Sequence, residues 1–225
     1  MLISGRGSNM AALIDAAAER DFPAEIAVVL SDTPGVHGLA VASAKGIPSS
    51  VVQRADFATK SAHDAAIDAA LRSFDVELVA LAGYMRLLTA PCVDKWRGRM
   101  INIHPALLPL FKGLDTHRRA LEAGVRVHGC TVHFVTPDMD DGPIVAQAAV
   151  PVLVGDDEAA LAARVLKAEH QLYPMALRLI AEGKARMDGG RVVFSGISDG
   201  ASGSISAPAP VAQDLDVEHL ARITP

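Results

Sequence analysis

Cysteine is nearly absent: Cys92 and Cys130 are the only two in 225 residues. Two are too few for a disulfide framework, so both are expected as reduced core or surface residues. No apolar run reaches the roughly 20 residues that span a bilayer. The opening Met1-Leu2-Ile3-Ser4-Gly5 has neither a basic segment nor a cleavage site, which argues against a secretion signal. The expected compartment is the cytoplasm. Lysine and arginine form no stripe, and the formal net charge is −5. Nucleic-acid backbone binding is therefore disfavoured. A small anion can still be held locally by backbone amides at a helix start. His117, His128 and His133 lack a close-spaced ligand pattern, so no metal centre is expected. Internal repeats are also lacking.

What is there is core-forming sequence in alternating pieces. Half of the residues are hydrophobic, enough for one sizeable domain with or without a tail. Strand-like and helix-like runs alternate, which predicts an α/β fold whose parallel sheet is covered on both faces. Leu2-Ile3 is the end of a first strand. Only four residues precede Gly5, so this strand is short: either the start lies too late, or the sheet tolerates a short central strand. Helices are expected from about Asn9 to Glu19, Gly38 to Lys45, Lys60 to Ser73 and Thr116 to Ala123. Strands are expected at Glu25–Leu30, Ser50–Val52, Val76–Ala82 and Arg99–Ile103. His128–Val135 and Ile144–Val152 alternate apolar and polar residues and can pair as antiparallel edge strands. A long helix spans about Asp157 to Ala181, capped by Asp156 and ended by Gly183. Leu161, Val165, Ala168 and Leu172 form its stripe, and Pro174 is expected to kink it. From Gly196 to Pro210 the chain is dominated by Gly, Ser, Ala and Pro and reads as a flexible tail.

Several segments carry chemistry. Asn102 and His104 stand two apart at the end of an apolar run, so they point to one face of a strand. Pro105 ends that strand. With one carboxylate from a loop, this supplies a neutral donor, a titratable acid/base and a group that tunes the imidazole: the parts for acyl transfer to an amine. Asp140-Asp141-Gly142-Pro143 is a turn that either merely shapes the backbone or aims a carboxylate at His104. Gly5-Arg6-Gly7-Ser8-Asn9 is a tight turn or an anion loop, with Ser8 or Asn9 as helix cap. As a dinucleotide fingerprint it is incomplete, since Met10 replaces the third glycine. Asp32 does stand where a ribose-binding acid would, but a single phosphate fits better. Gly83-Tyr84-Met85-Arg86-Leu87-Leu88 is a surface loop or a wall for a flat heterocycle, with Arg86 meeting a carboxylate. Glu169, beside an apolar stripe, needs a partner, and a ligand amine would serve.

Together these motifs resemble the folate-dependent formyltransferase family, in its glycinamide ribonucleotide transformylase (phosphoribosylglycinamide formyltransferase) branch. The resemblance runs from Leu2 to about Phe194. It rests on Ile3–Asn9, Ala82–Arg86, Asn102–Pro109, His133–Val135 with Asp140–Pro143, and Glu169-His170 with Tyr173-Pro174. It implies the formyltransferase fold: an open, mostly parallel Rossmann-like sheet with helices on both faces and an antiparallel edge. A domain over 1–195 would comprise a phosphate-binding half (about 1–98) and a folate and catalytic half (about 99–195), with 196–225 as tail. The implied activity is formyl transfer from 10-formyltetrahydrofolate, as co-substrate without metal, to the amine of glycinamide ribonucleotide in purine biosynthesis. Gly7, Ser8 and Asn9 would hold the phosphate and Glu169 the glycinamide. Lys60, Met85, Arg86, Leu87, Leu88, Asn102 and Asp140 would line the folate site. His104, Asn102 and Asp140 would be catalytic. Small molecules are the expected partners of a monomer or homodimer. Formyltetrahydrofolate hydrolase and methionyl-tRNA formyltransferase share the Asn-x-His and Asp set; the first usually has a further N-terminal domain, the second a C-terminal domain and basic surface. A non-catalytic folate- or nucleotide-binding protein is the alternative of another class.

Overall fold

The short apolar runs form strands and the segments between them helices, because each strand must bury two faces and each helix one. The structure is a computed structural model and describes residues 1–197. Strands β1 (Leu2–Ile3), β2 (Val29–Ser31), β3 (Ser49–Val51), β4 (Val79–Leu81) and β5 (Met100–His104) run parallel. Beyond β5, strands β6 (Val127–Phe134) and β7 (Ile144–Pro151) run antiparallel. The order across the sheet is β3-β2-β1-β4-β5-β6-β7. It reverses direction between β1 and β4, and the crevice outside the carboxyl ends of such strands is where open α/β sheets bind ligands.

Strand alternation sends neighbours to opposite cores. Leu2 packs with Leu71 and Trp96, on the side of helices α3 (Lys60–Ser73) and α4 (Ala90–Lys95). Ile3 packs with Leu13 and Val165, on the side of α1 (Ser8–Ala17) and α6 (Glu158–Ala181). In β5, Ile101 and Ile103 join this second core, which turns Asn102 and His104 to the other face. Two shorter helices, α2 (His37–Ala44) and α5 (Thr116–Glu122), complete the helical layers.

Several expectations need correction. β2 and β4 are shorter than their apolar runs: Ile26, Val28, Val76 and Leu78 pack in the cores but lie outside the strand ladders, the Val28 carbonyl accepting instead from the Met1 amino group (2.7 Å). The cap of α6 is Asp157, whose side chain accepts the Ala160 amide at 2.8 Å. Asp156 instead takes the Arg164 guanidinium, which holds its carboxyl down at about 2. The helix runs unbroken through Pro174. Next to that proline, the buried Tyr173 hydroxyl reaches the carbonyls of Leu81 (3.0 Å) and Ile101 (3.2 Å), tying α6 to the two central strands. Helix α4 and a hairpin of β8 (Ala185–Asp188) and β9 (Arg191–Phe194) were not expected. The hairpin's signal is Asp188-Gly189-Gly190, a two-residue glycine turn between short runs. Cys92 and Cys130 are buried free thiols. The expected tail falls almost wholly outside the described residues.

Candidate functional site

One end of the site is built of backbone. Gly7 caps α1 in a left-handed conformation (φ 75°), and no side chain caps that helix. Ser8 and Asn9, expected as caps, are instead its first two residues. A Cβ on Gly7 would also lie 2.9 Å from the Cα of Gly38. Gly38 itself has no room: a Cβ there would meet Ile3 Cδ1 at 2.6 Å and the Gly5 carbonyl at 3.0 Å. Helix α2 therefore crosses hard against the loop and fixes it, with the Gly38 amide donating to Gly5 (3.1 Å). The first amides of α1 stay available to an anion. Gly38 is a site residue that no motif in the sequence marks.

Two residues from opposite ends of the chain meet beside this loop. Asn9 Nδ2 donates to Glu169 Oε2 at 2.7 Å. Glu169 is buried, and burial pushes its carboxyl up despite that bond. Asn9 Oδ1 is also buried and has no partner among the described residues. A carboxylate short of donors and an orphan carboxamide acceptor both call for N–H groups on a ligand.

The other end is built of side chains. Asn102 and His104 face one way from β5, and β6 places His133 directly opposite Asn102. Asp140 arrives from the β6–β7 connection in a left-handed conformation (φ 50°). Gly142 lets that connection dock on β6, since a Cβ there would sit 1.7 Å from the Phe134 carbonyl. A bulge after Val132 adjusts the register of the two strands at the same place, a common device for aiming a side chain. Asp140 Oδ2 then lies 3.5 Å from His104 Nδ1 and accepts the Gly113 amide at 2.9 Å. His104 Nε2–H donates to the Phe111 carbonyl (3.0 Å), which leaves Nδ1 toward the carboxylate.

His133 explains how Asn102 is oriented. Its Nδ1–H donates to the Phe134 carbonyl (3.0 Å). Desolvation lowers its pKa against the opposing pull of Asp140, 3.8 Å from Nε2, which favours a neutral ring with Nε2 as an acceptor. Asn102 Nδ2 lies 3.3 Å away and donates to it. This sets the carboxamide with its nitrogen inward and leaves its second N–H for the cleft. Only the β5–β6 register reveals this role; in the sequence His133 is one histidine among eight.

Asn102, His133 and Asp140 line one cleft together with Arg86, Leu87, Leu88, Val135 and Met139. His104 is buried and stands behind Asp140. Met85 is 66% exposed, and its amide donates to Ser4 Oγ (2.9 Å). Arg86 lines the cleft, but its Nε is taken by buried Asp32 at 2.6 Å. Burial works to raise the Asp32 carboxyl, yet hydrogen bonds from Arg86, Ser4 and Thr33 keep it below the usual range. Asp32 is therefore committed to Arg86, which removes the ribose contact of the dinucleotide reading. Lys60 opens α3, exposed and away from the cleft's lining.

The fold and this geometry define a doubly wound α/β protein with a cleft lined by Asn102, His133 and Asp140, and with His104 behind Asp140. Residues 1–177 match the family model described as formyl transferase, and the chain belongs to that family. It is 42% identical over 187 residues to phosphoribosylglycinamide formyltransferase of Haemophilus influenzae, covering 83% of this chain and 88% of that one. The trifunctional purine biosynthetic protein adenosine-3 of Gallus gallus is 48% identical over 187 residues, covering 83% of this chain. The chain spans 19% of that longer relative. Among solved structures, glycinamide ribonucleotide transformylase 1 from Symbiobacterium toebii superposes with a TM-score of 0.84 at 47% identity, covering 86% of this chain and 91% of that one.

Proposed function

We propose that this chain transfers a formyl group from 10-formyltetrahydrofolate to the primary amine of glycinamide ribonucleotide, a step of purine biosynthesis. The observation that carries the reading is the pairing of two ends at one switch point. An uncapped helix start lies beside the Asn9–Glu169 pair, and a cleft is lined by Asn102, His133 and Asp140. The amides of Gly7, Ser8 and Asn9 suit a phosphate. Glu169 and the free oxygen of Asn9 suit the amine and amide N–H groups of a glycinamide. The cleft fits a reduced pterin: apolar walls from Leu87, Leu88 and Val135 flank a polar edge of Asn102 and Asp140. Arg86 borders it, Met85 contributes through its loop, and Lys60 is left an outer contact with the folate's glutamate tail.

The chemistry follows from which groups reach the cleft. When the amine attacks the formyl carbon, negative charge builds on the formyl oxygen, and the N–H that Asn102 keeps free donates to it. One such donor is typically worth about 3 kcal/mol. Asp140 takes the proton lost by the amine, directly or through a water. His104 Nδ1, just behind Asp140, is the next site for that proton, and the charged ring adds to stabilisation of the oxyanion. The proton is returned to the departing folate nitrogen. No residue needs to form a covalent bond.

The test is absorbance detection of the deformylated folate, with and without glycinamide ribonucleotide. Release that requires the ribonucleotide is expected. Equal release without it would assign the chain to hydrolysis instead.

A further inference from the structure

We propose that Arg119, on α5, is a positioning residue for Asp140, acting through the peptide unit between Lys112 and Gly113. Its kinetic consequences rest on the formyl-transfer reading; its structural consequences do not.

The connection from β5 to α5 is held in two different ways. Its first half is tied to the sheet. The Leu108 amide donates to Thr131 Oγ1 (3.0 Å), that hydroxyl donates to the Ala106 carbonyl (2.6 Å), and Gln147 Nε2 donates to the Leu108 carbonyl (2.9 Å). The second half takes a single hydrogen bond from the sheet among the described residues, from His104 to Phe111, and it contains backbone that side chains disfavour: Phe111 at φ 54° and Asp115 at φ 55°. Yet this half makes both contacts that the acid–base pair depends on. Phe111 offers its carbonyl to His104, and Gly113 offers its amide to Asp140.

Arg119 secures it. Its Nη1 donates to the Lys112 carbonyl at 2.6 Å and the Leu114 carbonyl at 3.2 Å, and its guanidinium lies 5.7 Å from the centre of the Phe111 ring. The Lys112 carbonyl and the Gly113 amide belong to one planar trans peptide, so they point in opposite directions. Arg119 therefore grips the oxygen of the very peptide whose N–H holds Asp140. Turning that peptide breaks both bonds together, and a positive charge at its oxygen polarises the N–H toward the carboxylate. The other link between these loops, Lys112 with Asp141, is an exposed ion pair, a kind that contributes little.

Two readouts on Arg119→Ala and Arg119→Lys test this. The first is hydrogen exchange at the Gly113 amide, which needs no activity. In Arg119→Ala we expect it to exchange about 10-fold faster, as loss of a charge-assisted bond implies, while β5 and β6 amides keep their protection. The second is kinetics. We expect kcat to fall roughly 10–100-fold, as for a displaced catalytic group, with KM for the ribonucleotide little changed. Added guanidinium should restore part of the rate, and Arg119→Lys should lie between the two. Unchanged exchange at Gly113 overturns the proposal. So does a loss confined to KM, or a kcat loss that neither guanidinium nor lysine relieves. If the unsubstituted protein transfers no formyl group, the functional reading fails alone and the exchange measurement still decides the brace.

Discussion

The two halves of the proposed site solve their problems with different materials. The proposed phosphate end, in the parallel half of the sheet, is made of backbone amides, and its requirement is space: Gly7 and Gly38 cross where neither can carry a Cβ. The acid–base end, against the antiparallel half, is made of side chains, and its requirement is direction. Asn102, His104, His133 and Asp140 each have a partner that orients them. A steric defect at the first end should weaken binding and stability. A lost hydrogen bond at the second should leave binding intact and slow the reaction.

The sharpest way to break this contrast is Asp140→Asn. It keeps the shape of the turn and removes the proton acceptor, so kcat should fall about 10²–10⁴-fold, as loss of acid–base help does. Steady-state kinetics should show KM for both substrates nearly unchanged. Wild-type turnover in this variant would end the assignment of Asp140.

Next in size is His133→Leu, which deprives Asn102 of its acceptor. With the donor free to turn, kcat should drop by about 10²-fold, the range seen when one oxyanion donor is lost. His133→Gln, which still offers an oxygen, should lose less. Equal rates for the two variants would show that His133 does not orient Asn102.

At the other end, Gly38→Ala places a methyl against Ile3 and the Gly5 carbonyl. Thermal denaturation should show a loss of about 1–3 kcal/mol, typical of overpacking. KM for the ribonucleotide should rise while saturated turnover persists. A variant as stable as the parent would mean that this crossing is looser than the geometry shows.

The smallest effect concerns Glu169, which pairs with Asn9 beside the glycine loop. Burial raises its carboxyl above the usual value, so the folded chain holds this proton more tightly than the unfolded chain. Its contribution favours the fold at low pH and is lost as pH rises through the unfolded value toward the folded one. Glu169→Gln should therefore melt higher than the parent at neutral pH, the gap closing below about pH 4, where glutamate is protonated in both states. The same variant should bind the ribonucleotide less well. A melting difference independent of pH would show that burial does not strain this carboxyl.

Much of this was legible in the sequence because it is local. Alternating apolar runs specify strands buried on both faces, and α3 begins and ends where its pattern does, with Thr59 as cap. Asn102 and His104 share a face because strand side chains repeat every two residues. The comparisons add the family, which ordered motifs had already suggested. Less was legible where one signal serves two purposes. An apolar run is equally apolar whether it pairs in a ladder or only packs, so β2 and β4 are shorter than their runs. Two adjacent acids look alike as caps, and only the salt bridge to Arg164 takes Asp156 away from the helix and leaves Asp157.

The sequence by itself determined the layered α/β architecture, the glycine loop at the head of α1 and the pairing of Asn102 with His104, since backbone periodicity and glycine's freedom act over a few residues. Only the tertiary structure decided that Glu169 meets Asn9 across 160 positions, that Asp32 spends itself on Arg86, that His133 orients Asn102 and that Arg119 grips the Lys112–Gly113 peptide. Those partners are chosen by strand order, helix crossing and burial, and a buried polar group takes whichever partner the packing brings within hydrogen-bond reach.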